Sequence, residues 1–486
     1  MPVTSQHPEY QQHQAHWQQC RDAADGEDAV KARAEQYLPR LTEQTDDEYN
    51  AYRKRASWYG ATGRTVQGLA GAVFRKPPVV TVPPALEPHL KDITMNGVDL
   101  DGFAKTAITE VLKVGRYGIL VDMGKDQQEL QRPYWVGYRA EQIINWATRQ
   151  LQGDTILTMV VLEEEHREDD PRDAFQQKTE LQYRVLWLRG GQYEVEIYRK
   201  APQPVEGEEW VLAETIVPTI RNKPLPFIPF VFVNPTQLTT CVEKPPLLDL
   251  VVVNLSHYRN AADHEHGIHH TALPTPWVAG FPTDTVLKIG PSIAWVASDP
   301  NAKAGMLEFT GDGLGTIERA LDRKERHMAI LGARMLEEHK KAVEAAETLR
   351  IRGAGEHSVL ASLAGTTEAA VRMCLQWHAQ WNTLDGTSIT ADFNKDFYDV
   401  RMDPVELGEL MKAWQGGAIS HETLYWNMQR GELTRPGVTF EDEQELIDEE
   451  EPATIPLGGP FGGGFGQPGA GNEPPGNASP GNDEEA

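Results

Sequence analysis

Four histidines lie within seven residues of the segment ADHEHGIHH (262–270), at positions His264, His266, His269 and His270. His266 and His270 have the i, i+4 spacing that places two imidazoles on one helix face, where they can bind a metal ion. A zinc-protease motif also requires a glutamate directly after the first histidine, and Gly267 stands there instead. Two interpretations remain: a metal site built on His266 and His270, or imidazoles that end a helix, where positive charge is favourable.

The rest of the sequence carries no recognisable catalytic signature. It has no G-x-x-x-x-G-K-[ST] phosphate loop, no G-x-S-x-G motif and no dinucleotide-binding fingerprint after a strand. Three scattered cysteines, Cys20, Cys241 and Cys374, predict neither a disulfide framework nor a cysteine zinc site. We therefore predict no catalytic residue, no metal, no cofactor and no enzymatic activity. A metal-dependent hydrolase that uses His266 and His270 is the alternative.

Charge and hydropathy narrow the classes of partner. The chain has 72 acidic and 46 basic residues and a net charge of −26. This excess of acidic residues argues against a protein that binds nucleic acid tightly by neutralising phosphates. It is compatible with a protein along which DNA slides, because like charges repel. The N-terminal residues lack the basic and apolar runs of a signal peptide. The longest apolar run, 247–255, is shorter than the ~20 residues that cross a bilayer, so we expect a soluble protein without membrane contact.

The hydrophobic periodicity predicts an α+β architecture. Helices are expected over 27–76 and 101–115, followed by a strand at 117–123 and a hairpin that turns at Gly190-Gly191. The second half is mainly helical, with a compact Pro- and Gly-rich segment in its middle. Its expected parts are a helix at 247–270, the compact segment 271–311, a helix at 312–335, a long bent helix at about 348–381, a strand at 388–397, two short helices at 403–433 and a low-complexity end at 452–486.

This order of elements resembles the portal proteins of tailed bacteriophages. The resemblance covers about residues 30 to 435. It rests on the following stretches: YNAYRKRASWYGATGRTVQGLAGAVFRKPP (49–78), YGILVDM (117–123), YRAEQIINWA (138–147), LLDLVVVNLSHYRNAADHEHGIHH (247–270) and LGARMLEEHKKAVEAAETLRIRGAGEHSVLASLAG (331–365).

The resemblance implies a division of the chain into the parts of a portal subunit. These are a flexible leader (1–26), an α+β wing (27–240), stem helix 1 (241–270), a small clip (271–311), stem helix 2 (312–335), a tunnel loop (336–347), a long kinked helix with a wing strand (348–402), crown-like helices (403–440) and an acidic, Gly/Pro-rich disordered tail (441–486). The segment EEHKKAVEAAE (337–347) favours helix, so a true loop and a continuous helix both remain open.

The resemblance also implies a function. Portal proteins form a ring, usually of twelve subunits, at one capsid vertex, and double-stranded DNA passes through its channel. The implied partners are terminase, a head-completion adaptor, the major capsid protein and scaffold. The implied location is the virion, after assembly in the host cytoplasm. On this chain His339, Lys340 and Lys341 would face DNA from the tunnel loop, and the four clustered histidines would lie at the stem–clip junction. A head–tail scaffold without DNA passage is a second alternative.

Overall fold

The structure is a computed structural model that describes residues 2–123, 132–151, 153–169, 175, 177–205, 208–271, 275–282, 288, 294–307, 313–333, 359–395, 397, 404–431, 433–435 and 438–449. The chain forms two compact units, residues 1–398 and residues 399–486. The described helices are α1 (Pro8–Asp25), α2 (Glu27–Ala32), α3 (Asp46–Arg55), α4 (Ala61–Val73), α5 (Glu87–Leu90), α6 (Leu100–Val114), α7 (Leu248–Thr271), α8 (Leu314–Ala333), α9 (Val359–Trp381), α10 (Pro404–Gln415), α11 (His421–Arg430) and α12 (Phe440–Glu449).

The strands belong to the first unit and pair antiparallel. They are β1 (Val79–Thr81), β2 (Tyr117–Met123), β3 (Pro133–Arg139), β4 (Ile143–Leu151), β5 (Asp154–Asp169), β6 (Gln177–Arg189), β7 (Gln192–Val205), β8 (Glu208–Ile216), β9 (Thr219–Ile220), β10 (Lys223–Pro224), β11 (Phe230–Val233), β12 (Thr275–Ala279), β13 (Lys303–Leu307) and β14 (Thr390–Asp392). The larger sheets have the orders β11-β2-β3 and β4-β5-β6-β7-β8; β1-β14, β9-β10 and β12-β13 are two-stranded. Helices and sheets together confirm the predicted α+β class.

The core of the first unit forms where α6 and α9 pack against the sheet β11-β2-β3. Asp99 caps the N-terminus of helix α6, and its side chain accepts a hydrogen bond of 2.9 Å from the backbone N–H of Gly102. Its apolar residues recur at helical spacing, and Phe103, Ile108 and Val111 are buried. The predicted helix 101–115 and strand 117–123 are both confirmed, because each carries a strong local period. None of the helices in the described ranges is long and apolar enough to cross a lipid bilayer.

The predicted hairpin at Gly190-Gly191 is also confirmed. Strands β6 and β7 pair in register from Arg189 opposite Gln192. The two connecting glycines have φ angles of +59° and +77°. A two-residue turn of this kind needs positive φ at both positions, and glycine adopts it without steric cost.

The N-terminal segment differs from the sequence-based expectation of a flexible leader over residues 1–26. Residues 8–25 form α1, which packs against α4, α6 and α7. Trp17 is fully buried, and Arg21 forms bidentate hydrogen bonds with both Glu110 and Glu141, at 2.8–3.1 Å. The leader prediction is therefore wrong: the buried tryptophan and the two carboxylates fix this helix to the first unit.

The second unit contains α10, α11 and α12. The predicted pair of short helices is confirmed, with Ser420 capping α11 by accepting a 3.1 Å hydrogen bond from the N–H of Thr423. The predicted disordered tail begins too early, since residues 440–449 form α12, whose first turn carries Glu441, Asp442 and Glu443. Acidic residues in a first turn stabilise a helix through its dipole. The rest of the predicted tail lies outside the described residues.

We expect Trp17→Ala to lower the free energy of unfolding by about 3–5 kcal/mol, because it leaves a large cavity in the core. Urea unfolding followed by tryptophan fluorescence and circular dichroism measures this change. Gln14→Ala, at an exposed position of the same helix, is the control and should leave the midpoint almost unchanged. Equal midpoints for both variants would mean that α1 contributes little to stability, as a flexible leader would.

Candidate functional site: the paired helices α7 and α8

Helices α7 and α8 lie side by side in antiparallel order. At one end Leu250 of α7 faces Gly332 of α8, and at the other end Gly267 faces Leu314. A Cβ atom at Gly267 would lie 2.5 Å from Cδ2 of Leu314. The glycine therefore lets the first turn of α8 approach the last turns of α7 closely. This close approach explains a residue that lowers helix propensity in the middle of the histidine cluster.

One stripe of α8 faces α7. Its positions are separated by alternating steps of four and three residues, which places them on a single side of a helix. They are Leu314, Glu318, Leu321, Glu325, Met328 and Gly332. Met328 is buried to 1% exposure. The opposite side of α7 packs against α1, α3 and α4, so α7 lies between α8 and the body of the first unit.

Two histidines of α7 reach glutamates of α8 across this helix pair. Nε2 of His257 lies 3.3 Å from Oε1 of Glu325, and Nε2 of His264 lies 3.3 Å from Oε1 of Glu318. Burial lowers the pKa of His257, although Glu325 opposes that shift. A neutral His257 that donates to Glu325 avoids the desolvation cost of a buried imidazolium. These contacts hold the two helices in register.

His266 connects α7 to α3. Its Nδ1 lies 3.3 Å from Nη2 of Arg55, and its ring stands edge-on to Tyr52 with a centroid distance of 5.3 Å. The hydroxyl of Tyr52 donates a 2.6 Å hydrogen bond to Asp263. Burial, His270 and Arg55 together lower the pKa of His266. A neutral His266 can accept a hydrogen bond from Arg55, so this part of the cluster acts as a joint between two helices.

His269 and His270 complete the cluster at the exposed end of α7. The rings of His266 and His270 stand edge to face at 4.4 Å, and those of His269 and His270 at 5.5 Å. Within the described ranges, no group of three or more His, Cys, Asp or Glu side chains is arranged to hold a metal ion. The guanidinium of Arg55 beside His266 adds a positive charge that opposes a metal cation at this place.

A small β-hairpin is inserted between the two helices. Strand β12 pairs antiparallel with β13, from Thr275 opposite Leu307 to Ala279 opposite Lys303. Trp277 and Met306, on the two strands, are 44% and 50% exposed. The compact segment that the sequence predicts at 271–311 thus contains a hairpin, and it presents apolar side chains to solvent in the single subunit.

One of the two predicted groups of site residues lies within the described residues, and its assignment to a stem–clip junction stays a prediction. His264, His266, His269 and His270 lie together at the end of α7, as their spacing predicts. His339, Lys340 and Lys341 lie outside the described residues, and their role stays a prediction. No sequence pattern points to Tyr52 and Arg55, because both lie 211 residues from their partners in the cluster.

A second buried histidine pair lies outside the helix pair. Nδ1 of His89 is 2.9 Å from Nε2 of His378, which lies on α9. His378 is 1% exposed. Burial, together with the nearby His89 and Arg132, lowers the pKa of His378 to about 3. The folded protein therefore holds this imidazole neutral over the whole physiological range.

A family model described as a domain of unknown function (DUF4055) matches residues 246–382. The match begins just before α7 and ends just after α9. No curated protein matches the chain.

Among solved structures, the chain is similar to chains in three structures of gene transfer agent particles. The virion of a native gene transfer agent (GTA) particle has a chain with 12% identity and a TM-score of 0.37, over 81% of this chain and 96% of the other. The neck of an empty GTA particle, computed with C6 symmetry, has a chain with 12% identity and a TM-score of 0.39, over 84% and 99%. The neck of a native GTA particle, computed with C12 symmetry, has a chain with 13% identity and a TM-score of 0.36, over 81% of this chain and 97% of the other. Likeness at this level establishes no shared function.

His378 predicts a loss of stability in acid. Its pKa is about 3 in the folded chain and about 6.5 in the unfolded chain. Below pH 6.5 only the unfolded chain takes up the proton, so the free energy of unfolding falls as pH decreases. This effect is at most about 1.4 kcal/mol per pH unit and ends near pH 3.

Between pH 7 and pH 5 the free energy of unfolding should decrease in both proteins. We expect this decrease to be up to about 2 kcal/mol smaller in His378→Gln than in the wild type. Urea unfolding at the two pH values measures it. His327→Gln, at an exposed histidine on α8, is the control and should behave as the wild type does. Identical pH dependence in His378→Gln and wild type would contradict the assignment of this loss to His378.

Proposed function

We propose that this chain is the subunit of a portal ring, a structural and non-enzymatic channel at one vertex of a phage-type capsid. The observation that carries the proposal is the antiparallel pair α7–α8 with the β12–β13 hairpin inserted between its helices. In this proposal the helix pair is the stem and the hairpin belongs to the clip, as the portal resemblance implies for residues 241–335. Two rods packed side by side, repeated around an axis, can wall a pore.

Exposed apolar side chains on these elements favour a ring. A single subunit leaves large hydrophobic residues of the helix pair and its insert open to solvent, and in this proposal neighbouring copies cover them. They are Val252 (54%), Ile268 (36%), Trp277 (44%), Val296 (84%) and Met306 (50%). A ring closes by a heterologous contact between neighbouring copies, and such a contact can bury these side chains.

The charge of the chain suits a passage for DNA. At a net charge of −26 per subunit, the bulk of a ring repels a duplex, so DNA meets few long-lived contacts as it moves. In this proposal terminase docks at the clip during packaging and a head-completion adaptor replaces it later. The wing then contacts the major capsid protein and scaffold. A head–tail connector without DNA passage is the second candidate, since it shares the ring but not the channel function.

The first experiment is to determine the mass and shape of the purified protein. We expect a cyclic oligomer of about 0.65 MDa if the ring has the twelve copies of 54.2 kDa that the resemblance implies. Electron micrographs should show rings with a central hole. A stable monomer would contradict the proposal, whereas a ring that does not retain DNA in assembled particles would favour the connector.

We expect Val252→Asp to weaken the ring, because a carboxylate on the exposed flank of α7 cannot be buried against a neighbour without a large cost. About 2 kcal/mol lost at each interface should shift the protein towards smaller species at low concentration. Mass photometry over a dilution series measures this shift. Val79→Asp, at a valine of β1 that is 62% exposed, is the matched control and should assemble normally. Equal assembly of both variants would place Val252 outside the interface.

The lysines of the predicted tunnel loop give a separate prediction. Lys340→Glu combined with Lys341→Glu should leave ring assembly intact and reduce DNA packaging or retention, because it reverses the charge that contacts phosphates. Packaged genome length and infectious titre measure the effect. A genome length and titre equal to those of the wild type would remove these lysines from the mechanism.

A further inference from the structure

The glutamates and the arginines of α8 lie on different faces of the helix. Glu318 and Glu325 face the histidines of α7. Arg319, Arg323 and Arg326 are exposed. At 3.6 residues per turn, Arg323 projects roughly 160° away from Leu321, which belongs to the α7-facing stripe. In the sequence these residues form one mixed segment, ERALDRKER (318–326). In the fold, Lys324 also turns to α7 and donates a 2.8 Å hydrogen bond to the carbonyl of Ser256, so the three arginines are the cations left on the exposed side of this segment.

The exposed side of α8 forms a basic surface, which we name the arginine face. Its members are Thr316, Arg319, Arg323, Arg326, His327 and Ile330. None of these positions holds a carboxylate, although the chain contains 72 acidic residues. Asp322, the nearest acidic residue on the helix, lies between the arginine face and the α7-facing stripe.

The arginines of this face have few partners within the subunit. Arg319 donates a hydrogen bond of 3.2 Å to Oγ1 of Thr316. In the described part of the chain, Arg323 and Arg326 form neither a hydrogen bond nor an ion pair. The guanidinium groups are therefore available to an anionic partner, and no internal ion pair has to break before they bind it.

We propose that the arginine face binds the phosphate backbone of double-stranded DNA. This inference rests on the proposed function, in which α8 borders the channel. The three arginines span about 10 Å along the helix, and each guanidinium can bind phosphate oxygens with two parallel hydrogen bonds. Contacts to phosphates carry no base information, so the face accepts any sequence. Together with the acidic bulk of the ring, it provides a narrow zone of attraction inside a repulsive passage.

A neighbouring copy of α7 is a poorer partner for the arginine face. The exposed carboxylates of α7 already have partners: Asp249 accepts from Lys244 at 2.7 Å, and Asp263 accepts from Tyr52 at 2.6 Å. The exposed flank between them carries Val252 and the cation of Arg259. This flank therefore offers no row of free carboxylates to match three arginines, whereas a duplex offers a continuous row of phosphates.

The test measures the binding of a short linear duplex to assembled rings over a salt series. The triple variant Arg319→Gln, Arg323→Gln and Arg326→Gln should bind at least about tenfold more weakly at low salt, and its plot of log K against log salt should be less steep by about 0.9 for each phosphate that an arginine no longer neutralises. The triple variant with lysine at the same positions keeps the charge and should keep the slope. If the lysine variant loses slope as the glutamine variant does, the proposal is overturned, because charge is then not the cause.

The control removes three exposed positive charges elsewhere, by Lys91→Gln, Lys105→Gln and Arg372→Gln, and should bind DNA as the wild type does. If the plot of log K against log salt has the same slope for the wild type and the glutamine variant, the proposal is overturned. Failure of the glutamine variant to form rings, with DNA binding by its subunits unchanged, also overturns it and assigns the face to a neighbouring copy. If the glutamine variant does not fold, Arg323→Gln alone replaces it, with an expected slope change of about 0.9 for each copy of Arg323 that contacts a phosphate.

The outcomes separate this inference from the proposed function. If the rings bind DNA equally well with and without the arginines, the proposed role of the arginine face is contradicted and the portal proposal stays intact. A wild-type chain that forms no ring contradicts the portal proposal directly.

Discussion

The packing of α8 against α7 is the constraint on which the other features of this molecule depend. Helix α7 is held on one side by α1, α3 and α4 and on the other by α8. Helix α8 contacts α7 through a single stripe of residues. The opposite side of α8 is therefore exposed in the single subunit. The close approach at Gly267 and Leu314 and the two His–Glu contacts fix which stripe that is. The exposed surface of α8 is then determined as well.

The clustered histidines illustrate how spacing alone leaves a function open. The i, i+4 pair His266 and His270 is compatible with a metal site, and the sequence cannot show what lies opposite. In the fold, Arg55 and Tyr52 approach His266 from α3. His264 reaches Glu318. Each of these partners satisfies an imidazole through hydrogen bonding or ring contact, and a cation beside His266 makes a second cation unfavourable. Helix-to-helix contacts thus account for the positions of His264 and His266.

The elements that sequence reasoning recovers are those whose signal is local. Helix α6, strand β2 and the β6–β7 turn depend on the period of apolar residues or on paired glycines, and both are readable within about 15 residues. Helix α1 was missed because its inward positions, such as Tyr10, Trp17 and Cys20, are diluted among glutamines and histidines. Their spacing is nevertheless helical. The partners of Arg21 lie 89 and 120 residues away, and no local pattern encodes such contacts.

The net charge of the sequence is likewise an incomplete guide to function, because it does not show where the charges lie in the fold. A net charge of −26 argues against DNA binding only if charge is spread evenly, and in α8 it is not. Glu318 and Glu325, whose side chains are 63% and 41% exposed, are turned towards the histidines of α7, while the arginines lie on the far side of the helix. At distances beyond about 8 Å, screening at physiological salt removes most of the repulsion from the rest of the subunit. A duplex that touches α8 therefore responds mainly to the arginines beside it, although the whole chain is acidic.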